Sequence, residues 1–315
     1  MNCLKLAVNR RTHDGPFRTT PLSLVVALGI LFPVAAWSQG APAARDFMNT
    51  PVDAASFFAD FLFNKAETVA SSDIPVPNNE TLSRVGVVTL LWSFPMFDRY
   101  AGVQVGGGYT DVHGTGPFGV YKGSGFTDPA FTFHMNFFGA PALRKAEFAN
   151  AVPQSYSSFH FTVNAPLGSY DRNSPVNTGA NRWAFNPVFN LDLTPDKGVS
   201  YFDIYVGARY FTTNNEYLGS GQLSQKVLGN FAFHYSHNLG KKMFAAVGVY
   251  YNIGGETSVN HVPQDNELNG LRPGLAISRL IWKFRFTLRY ERAATTPNFA
   301  PTNGVLSLRV SGFLF

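Results

Sequence analysis

The sequence predicts an all-β protein, specifically a transmembrane antiparallel up-and-down β-barrel of about twelve strands. Three observations carry that prediction: period-two alternation of apolar and polar residues, alternation of long and short connections, and an export leader on a chain poor in charge. Charged residues make up 14% of the 315 residues, against about 25% in soluble domains. Aromatic residues reach 15%, thirty of them Phe, yet mean hydropathy is near zero. Apolar residues are therefore abundant but interrupted, and beyond the leader no run is long and apolar enough for a membrane helix.

Residues 1–38 read as a secretory signal peptide. Lys5, Arg10, Arg11 and Arg18 form a basic leader, residues 22–36 an apolar stretch, and Ala36-Trp37-Ser38 a small-residue cleavage site. The single cysteine, Cys3, falls in this leader, so the exported chain is expected to hold neither a disulfide nor a thiolate metal site. Removing those four basic residues and Asp14 from the 25 basic and 20 acidic residues leaves 21 against 19. A dedicated nucleic-acid binder needs a larger basic excess, so no nucleic-acid partner is expected. Residues 39–55 are expected to form a periplasmic N-terminal segment or a lumen plug, and residues 56–315 the barrel.

The strands follow in order. Phe57, Ala59, Phe61 and Phe63 alternate with Phe58, Asp60, Leu62 and Asn64; Val103, Val105 and Tyr109 with Gln104 and Thr110. Phe131, Phe133, Met135 and Phe137 alternate with Thr132, His134 and Asn136, and Phe159, Phe161 and Val163 with His160, Thr162 and Asn164. The same period governs 182–193, 202–210, 230–236 and "WKFRFTLRYER" at 282–292. Residues 82–94, 243–253, 271–281 and 305–315 complete twelve strands of roughly 10–13 residues, about the length a tilted strand needs to cross a bilayer.

The connections test the count. Those expected outside are long and polar: 66–80, 112–123, 168–179, 214–221, 254–268 and 293–302. Those expected on the periplasmic side are tight, except 139–153, which suits a short helix. Alternating long and short loops with an even strand number is the bacterial barrel pattern. Pro187 falls within a strand and removes a ladder donor, so a bulge or inward kink is expected there. Phe313 and Phe315 resemble the terminal aromatic signal recognised by the barrel-assembly machinery, the partner expected at Phe315. They fall on the opposite face from Leu306, Leu308 and Val310, so a bulge near Gly312 is expected.

"GSGFTDPAF" at 123–131, "APLGSYDRNSPVNTGANRWAFNPVFNLDLTP" from Ala165 and "YFDIYVGARYFTTNNEYLGSG" from Tyr201 together resemble the outer-membrane transporter family associated with the meta-cleavage pathway of phenol degradation. The resemblance covers roughly residues 85–315 and departs at Phe126-Thr127-Asp128, where the family has Gly-Asp together. It implies an outer-membrane channel of a Gram-negative bacterium for uptake of small aromatic or hydrophobic compounds. The alternatives are a non-transporting structural or adhesive barrel and, more remotely, an outer-membrane hydrolase.

If the apolar positions face outer-membrane lipid, the opposite set lines the lumen: Asp128, His134, His160, Arg182, Arg209, Lys226, His234, Lys283, Arg285 and Arg289. Their positive excess would attract anions, or would be spent in an internal ion-pair network. Trp183, Trp282 and Tyr290 are expected at the membrane interfaces. His134 and His160 lie on neighbouring strands and are expected close together, but neither a metal site nor a cofactor is expected. Ser158 and His160 share a face two residues apart, which is expected to be too far for direct contact. With no nucleophile elbow or phosphate loop, no catalytic residue is expected and the chain is not read as an enzyme.

Overall fold

The computed structural model describes residues 42–68, 79–116, 119–174, 176–294 and 302–314. The leader and Phe315 lie outside them. The strands are, in chain order, β1 (Ala54–Thr68), β2 (Asn79–Met96), β3 (Arg99–Gly116), β4 (Gly119–Phe126), β5 (Ala130–Gly139), β6 (Tyr156–Asn164), β7 (Ala184–Leu193), β8 (Ser200–Phe211), β9 (Asn214–Tyr217), β10 (Gly221–Gln225), β11 (Leu228–Asn238), β12 (Met243–Gly254), β13 (Thr257–Val259), β14 (Val262–Pro263), β15 (Leu268–Ile281), β16 (Phe284–Arg292) and β17 (Thr302–Phe313). β4 and β5 both pair with β3 and make one wall strand broken at 127–129. β9, β10, β13 and β14 form a separate sheet on the long-loop side. The remainder is a closed antiparallel barrel of twelve strands, sealed where β1 meets β17 from Ser56↔Phe313 to Glu67↔Thr302. Closure leaves no unpaired sheet edge, which is what a strand protein in lipid requires.

The period-two pattern becomes two surfaces. On β1, Phe61 and Phe63 are half exposed, whereas Asp60 and Asn64 are buried. The same inversion recurs along the wall: Val88, Leu90, Phe131, Phe189, Phe233, Ile277 and Leu288 are exposed, while Asn136, His160, Asp192, Asp203 and Ser236 are buried. A soluble protein would do the opposite, so the apolar band is the lipid-facing surface.

Several local expectations are corrected. Residues 112–123 are not a loop: β3 and β4 continue as a paired ribbon to Gly116↔Gly119. Segments 214–221 and 254–268 contain strands of the small outer sheet, which closes over Tyr217, Leu223 and Val259. No bulge forms at Pro187. The β7–β8 ladder omits Asn186 and Pro187 and resumes in the same register at Val188↔Gly207, while Phe161↔Pro187 stays aligned on β6. Strand β17 has no bulge at Gly312 either, because its register with β1 is unbroken through Phe57↔Gly312. Phe313 therefore lies on the face of Arg309 and Ser311, and the outward assignment fails at that end. The connection 139–153 does contain a helical turn, Lys145–Phe148.

Candidate functional site in the barrel lumen

Residues 42–53 run along the inner wall and contact one strand after another. Near the short-turn end, the Asp53 N–H donates to the Ser93 carbonyl and Val52 N–H to the Leu143 carbonyl, both at 2.9 Å. Ser93 Oγ donates to the Pro51 carbonyl at 2.6 Å. Thr50 Oγ1 and Tyr100 OH share a hydrogen bond at 3.0 Å, and Asn136 Nδ2 donates to Asn49 Oδ1 at 3.1 Å. Tyr156 OH donates to the Phe47 carbonyl at 2.8 Å, and the Arg45 N–H donates to Asp203 at 2.9 Å. Beyond that, His234 Nε2 donates to the Pro42 carbonyl at 3.0 Å. Bonds to the wall take the place of the ladder this irregular segment lacks, as buried backbone requires.

Side chains reinforce the seating. The Phe47 ring stacks on His160 with centroids 3.5 Å apart and meets Tyr205 edge-on at 5.1 Å. His160 stacks on His134 at 5.1 Å, and His134 on Tyr100 at 5.3 Å. The Arg45 guanidinium lies 4.3 Å from the Tyr201 ring and 4.1 Å from the Phe244 ring, and donates from Nε to Ser236 at 2.7 Å. A file of aromatic rings thus runs along the inner wall from β3 to β8 with the N-terminal segment as one member.

The histidine pair meets as expected, by facing rings. Among the described residues, neither nitrogen of His134 nor Nδ1 of His160 has a hydrogen-bond partner, and no group of three or more potential metal-ligating residues occurs. Ser158 Oγ lies 2.9 Å from His160 Nε2, which corrects the expectation that the two could not touch. The contact does not make a triad, because no third group orients the imidazole through Nδ1. His234 sits apart, edge-on to Tyr205 and Tyr250.

Two glycines explain where the imidazoles fit. Gly102 is the direct cross-strand partner of His134, and Gly248 of His234. A Cβ on Gly102 would lie 2.6 Å from His134 Nε2, and one on Gly248 would lie 2.0 Å from His234 Nδ1. These seats and the anchors Arg45, Phe47 and Tyr100 escaped sequence reasoning. Their only signal was a glycine within a strand, which acquires meaning once its register is known.

The predicted positive stripe divides. Lys283 belongs to the Trp282-Lys283 turn, where Trp282 has φ 56°, so it does not line the lumen as expected; it lies over the Trp282 ring instead. Arg285 donates to Ser278 at 3.2 Å and covers Phe244. Arg289 lies 3.7 Å from Asp46 and 3.9 Å from Asp60. Arg309 bonds Asp60 at 2.8 Å and also holds Asp46. Arg272, absent from the predicted lumen set, pairs with Glu291 at 3.0 Å. Asp46 comes from the N-terminal segment and Asp60 from the wall, so this network also fastens the segment.

The other candidates lie toward the long-loop side. Asp128 is a staple: its two oxygens accept the Gly168 and Ala180 N–H groups, each at 2.9 Å. It thereby ties "GSGFTDPAF", which supplies the carboxylate, to "APLGSYDRN", which supplies the Gly168 donor. Arg182 bonds Gln225, Arg209 bonds Asn164 at 2.9 Å, and both guanidinium groups cover Phe211. Lys226 is an exposed loop residue; Glu256, 2.7 Å away, holds it above its ordinary pKa. Trp183, Trp282 and Tyr290 are exposed at strand ends or turns.

A family model described as "Putative MetA-pathway of phenol degradation" matches residues 34–310. The chain belongs to this family. Among solved structures, the COG4313 outer membrane channel from Pseudomonas putida F1 aligns with TM-score 0.73 at 18% identity, covering 87% of this chain and 100% of that one. The translocator domain of the autotransporter NalP from Neisseria meningitidis gives TM-score 0.50 at 12% identity, covering 85% and 90% of the two chains. The β domain of the Bordetella autotransporter BrkA gives 0.51 at 9%, covering 82% and 99%. At such identities these matches establish the twelve-stranded barrel fold. No curated protein matches the sequence.

Proposed function

We propose that this family member is an outer-membrane channel for uptake of small aromatic or hydrophobic compounds, and that residues 42–53 form its lumen plug. The observation that carries the proposal is the aromatic file Phe47–His160–His134–Tyr100, in which one ring is contributed by a segment outside the wall. A planar apolar solute can replace Phe47 in such a file, because stacking is tolerant of ring identity. Displacing the segment would clear the route and expose Arg289, Arg309 and Asp60 along one side of it. Affinity should be low, since a conduit must release what it admits. The family's association with phenol degradation and the fold shared with an outer membrane channel of Pseudomonas putida support the same direction.

Liposome swelling tests it. Proteoliposomes carrying the chain should swell in phenol or benzoate faster than in a sugar of equal osmolarity. A variant lacking residues 39–53 should admit both. Impermeability of both proteins to every solute would reject the channel and leave a structural barrel.

A further inference from the structure

The outside of the barrel carries a charged feature that the lumen does not use. A groove of about 710 Å³ is cut into the outer faces of β16, β17, β1, β2 and β3 on the long-loop side. Cross-strand register explains its composition. One row runs Arg292, Gly304, Lys65 and Leu82. The next row toward the short turns runs Tyr290, Leu306, Phe63 and Arg84. Adjacent strands are about 4.8 Å apart, so Lys65 and Arg84 are diagonal neighbours, and Arg292 stands two strands from Lys65. Gly304 lies between those two; a Cβ there would be in ordinary contact with the Tyr290 OH at 3.8 Å. The centre of the cationic row therefore carries no side chain of its own and has the Tyr290 hydroxyl beside it.

The pairing of these cations differs from that in the lumen. There, Arg272, Arg289 and Arg309 each meet a carboxylate. Lys65 meets Glu80 at 3.2 Å, and Asp111 is engaged by His113 at 2.9 Å. Arg84 and Arg292 are exposed and make no ion pair among the described residues; Asp111, directly across from Arg84 on β3, is held by His113. Both stand at the margin of the lipid-facing band, and Arg292 shares a strand face with the adjacent Tyr290, a residue type that favours the lipid–water boundary. A guanidinium at such a boundary is best satisfied by the forked oxygens of a phosphate.

The surface toward the membrane centre supplies the other half. Gly86 on β2 and Gly107 on β3 are diagonal neighbours on the outer face, and a Cβ on either would have nothing within 4 Å. They leave a strip without side chains flanked by Phe61, Val88 and Tyr109, all exposed. A cationic rim above a shallow apolar channel matches a molecule with a phosphorylated head and acyl chains.

We infer that this groove is a binding site for a phosphorylated glycolipid of the outer leaflet. Its phosphate lies over Gly304 between Arg292, Lys65 and Arg84, and an acyl chain runs over Gly86 and Gly107. The site is independent of what passes through the lumen. It requires only that the long loops face outward.

The full barrel, refolded free of lipid and checked by heat-dependent gel mobility, is titrated in detergent with bis-phosphorylated lipid A, with its dephosphorylated form and with inorganic phosphate. Bound molecules are counted by native mass spectrometry. One lipid A per barrel is expected. Replacing Arg84 and Arg292 by Ala should weaken it about thirtyfold, as expected for two charges lost at an anionic surface. Gly86→Leu, which fills the strip without altering charge, should weaken it as well. Equal binding by either variant or by the dephosphorylated lipid overturns the assignment. Saturation by inorganic phosphate alone also overturns it, in favour of a free-anion site.

Discussion

Phe47→Ala is the sharpest perturbation of the proposed plug. Phe47 contributes two ring contacts, a stack on His160 and an edge contact on Tyr205, while its carbonyl bond to Tyr156 survives truncation. Removing a fully buried Phe costs about 3–5 kcal/mol; this ring is partly exposed, which lowers the smaller figure to about 2 kcal/mol. The two aromatic pairs, at about 0.5–1.5 kcal/mol each, give a concordant sum. The loss falls on the occluded state alone, so the ratio of displaced to seated segment should rise about thirtyfold. In planar-bilayer recordings at fixed voltage, the frequency of opening events should rise by that factor while the conductance of each event stays the same. Phe47→Leu should fall in between. An unchanged event frequency in Phe47→Ala would refute the reasoning, because the ring would then not be holding the segment in place.

Three further outcomes follow from the same contacts. Asp46→Asn should increase openings while Asp60 still holds Arg309 in the wall, whereas Asp60→Asn leaves Arg309 only its partner on the segment and should lower the thermal unfolding temperature in detergent, by part of the about 3–5 kcal/mol that a fully unpaired buried charge costs; equal effects from the two would contradict their assignment to segment and wall. Asp128→Ala leaves the Gly168 and Ala180 N–H groups unmet, so trypsin should cleave after Arg172 faster than in the unaltered protein, with the rest of the barrel resistant. Gly248→Ala places a Cβ 2.0 Å from His234 Nδ1 and should destabilise by about 1–3 kcal/mol through overpacking, read as a lower unfolding temperature; no change would mean that the imidazole has room to move.

The alternation of Phe57 to Asn64, repeated around the chain, determined the barrel and both of its surfaces. It could do so because side chains alternate faces along any strand whatever its partner. The sequence also carried the tight and long connections, the helical turn at Lys145–Phe148 and the proximity of His134 to His160. It could not place Lys283, because the turn that removes it from the lumen depends on Trp282 adopting a positive φ. Nor could it foresee that Pro187 would be accommodated by skipping two ladder positions instead of by a bulge. The contents of the lumen were decided by the tertiary structure alone. Phe47 meets His160, Asp46 meets Arg309 and Gly102 lies opposite His134 because strand register and closure bring together residues far apart in the chain. Periodicity fixes which way a side chain points, while register fixes what it meets.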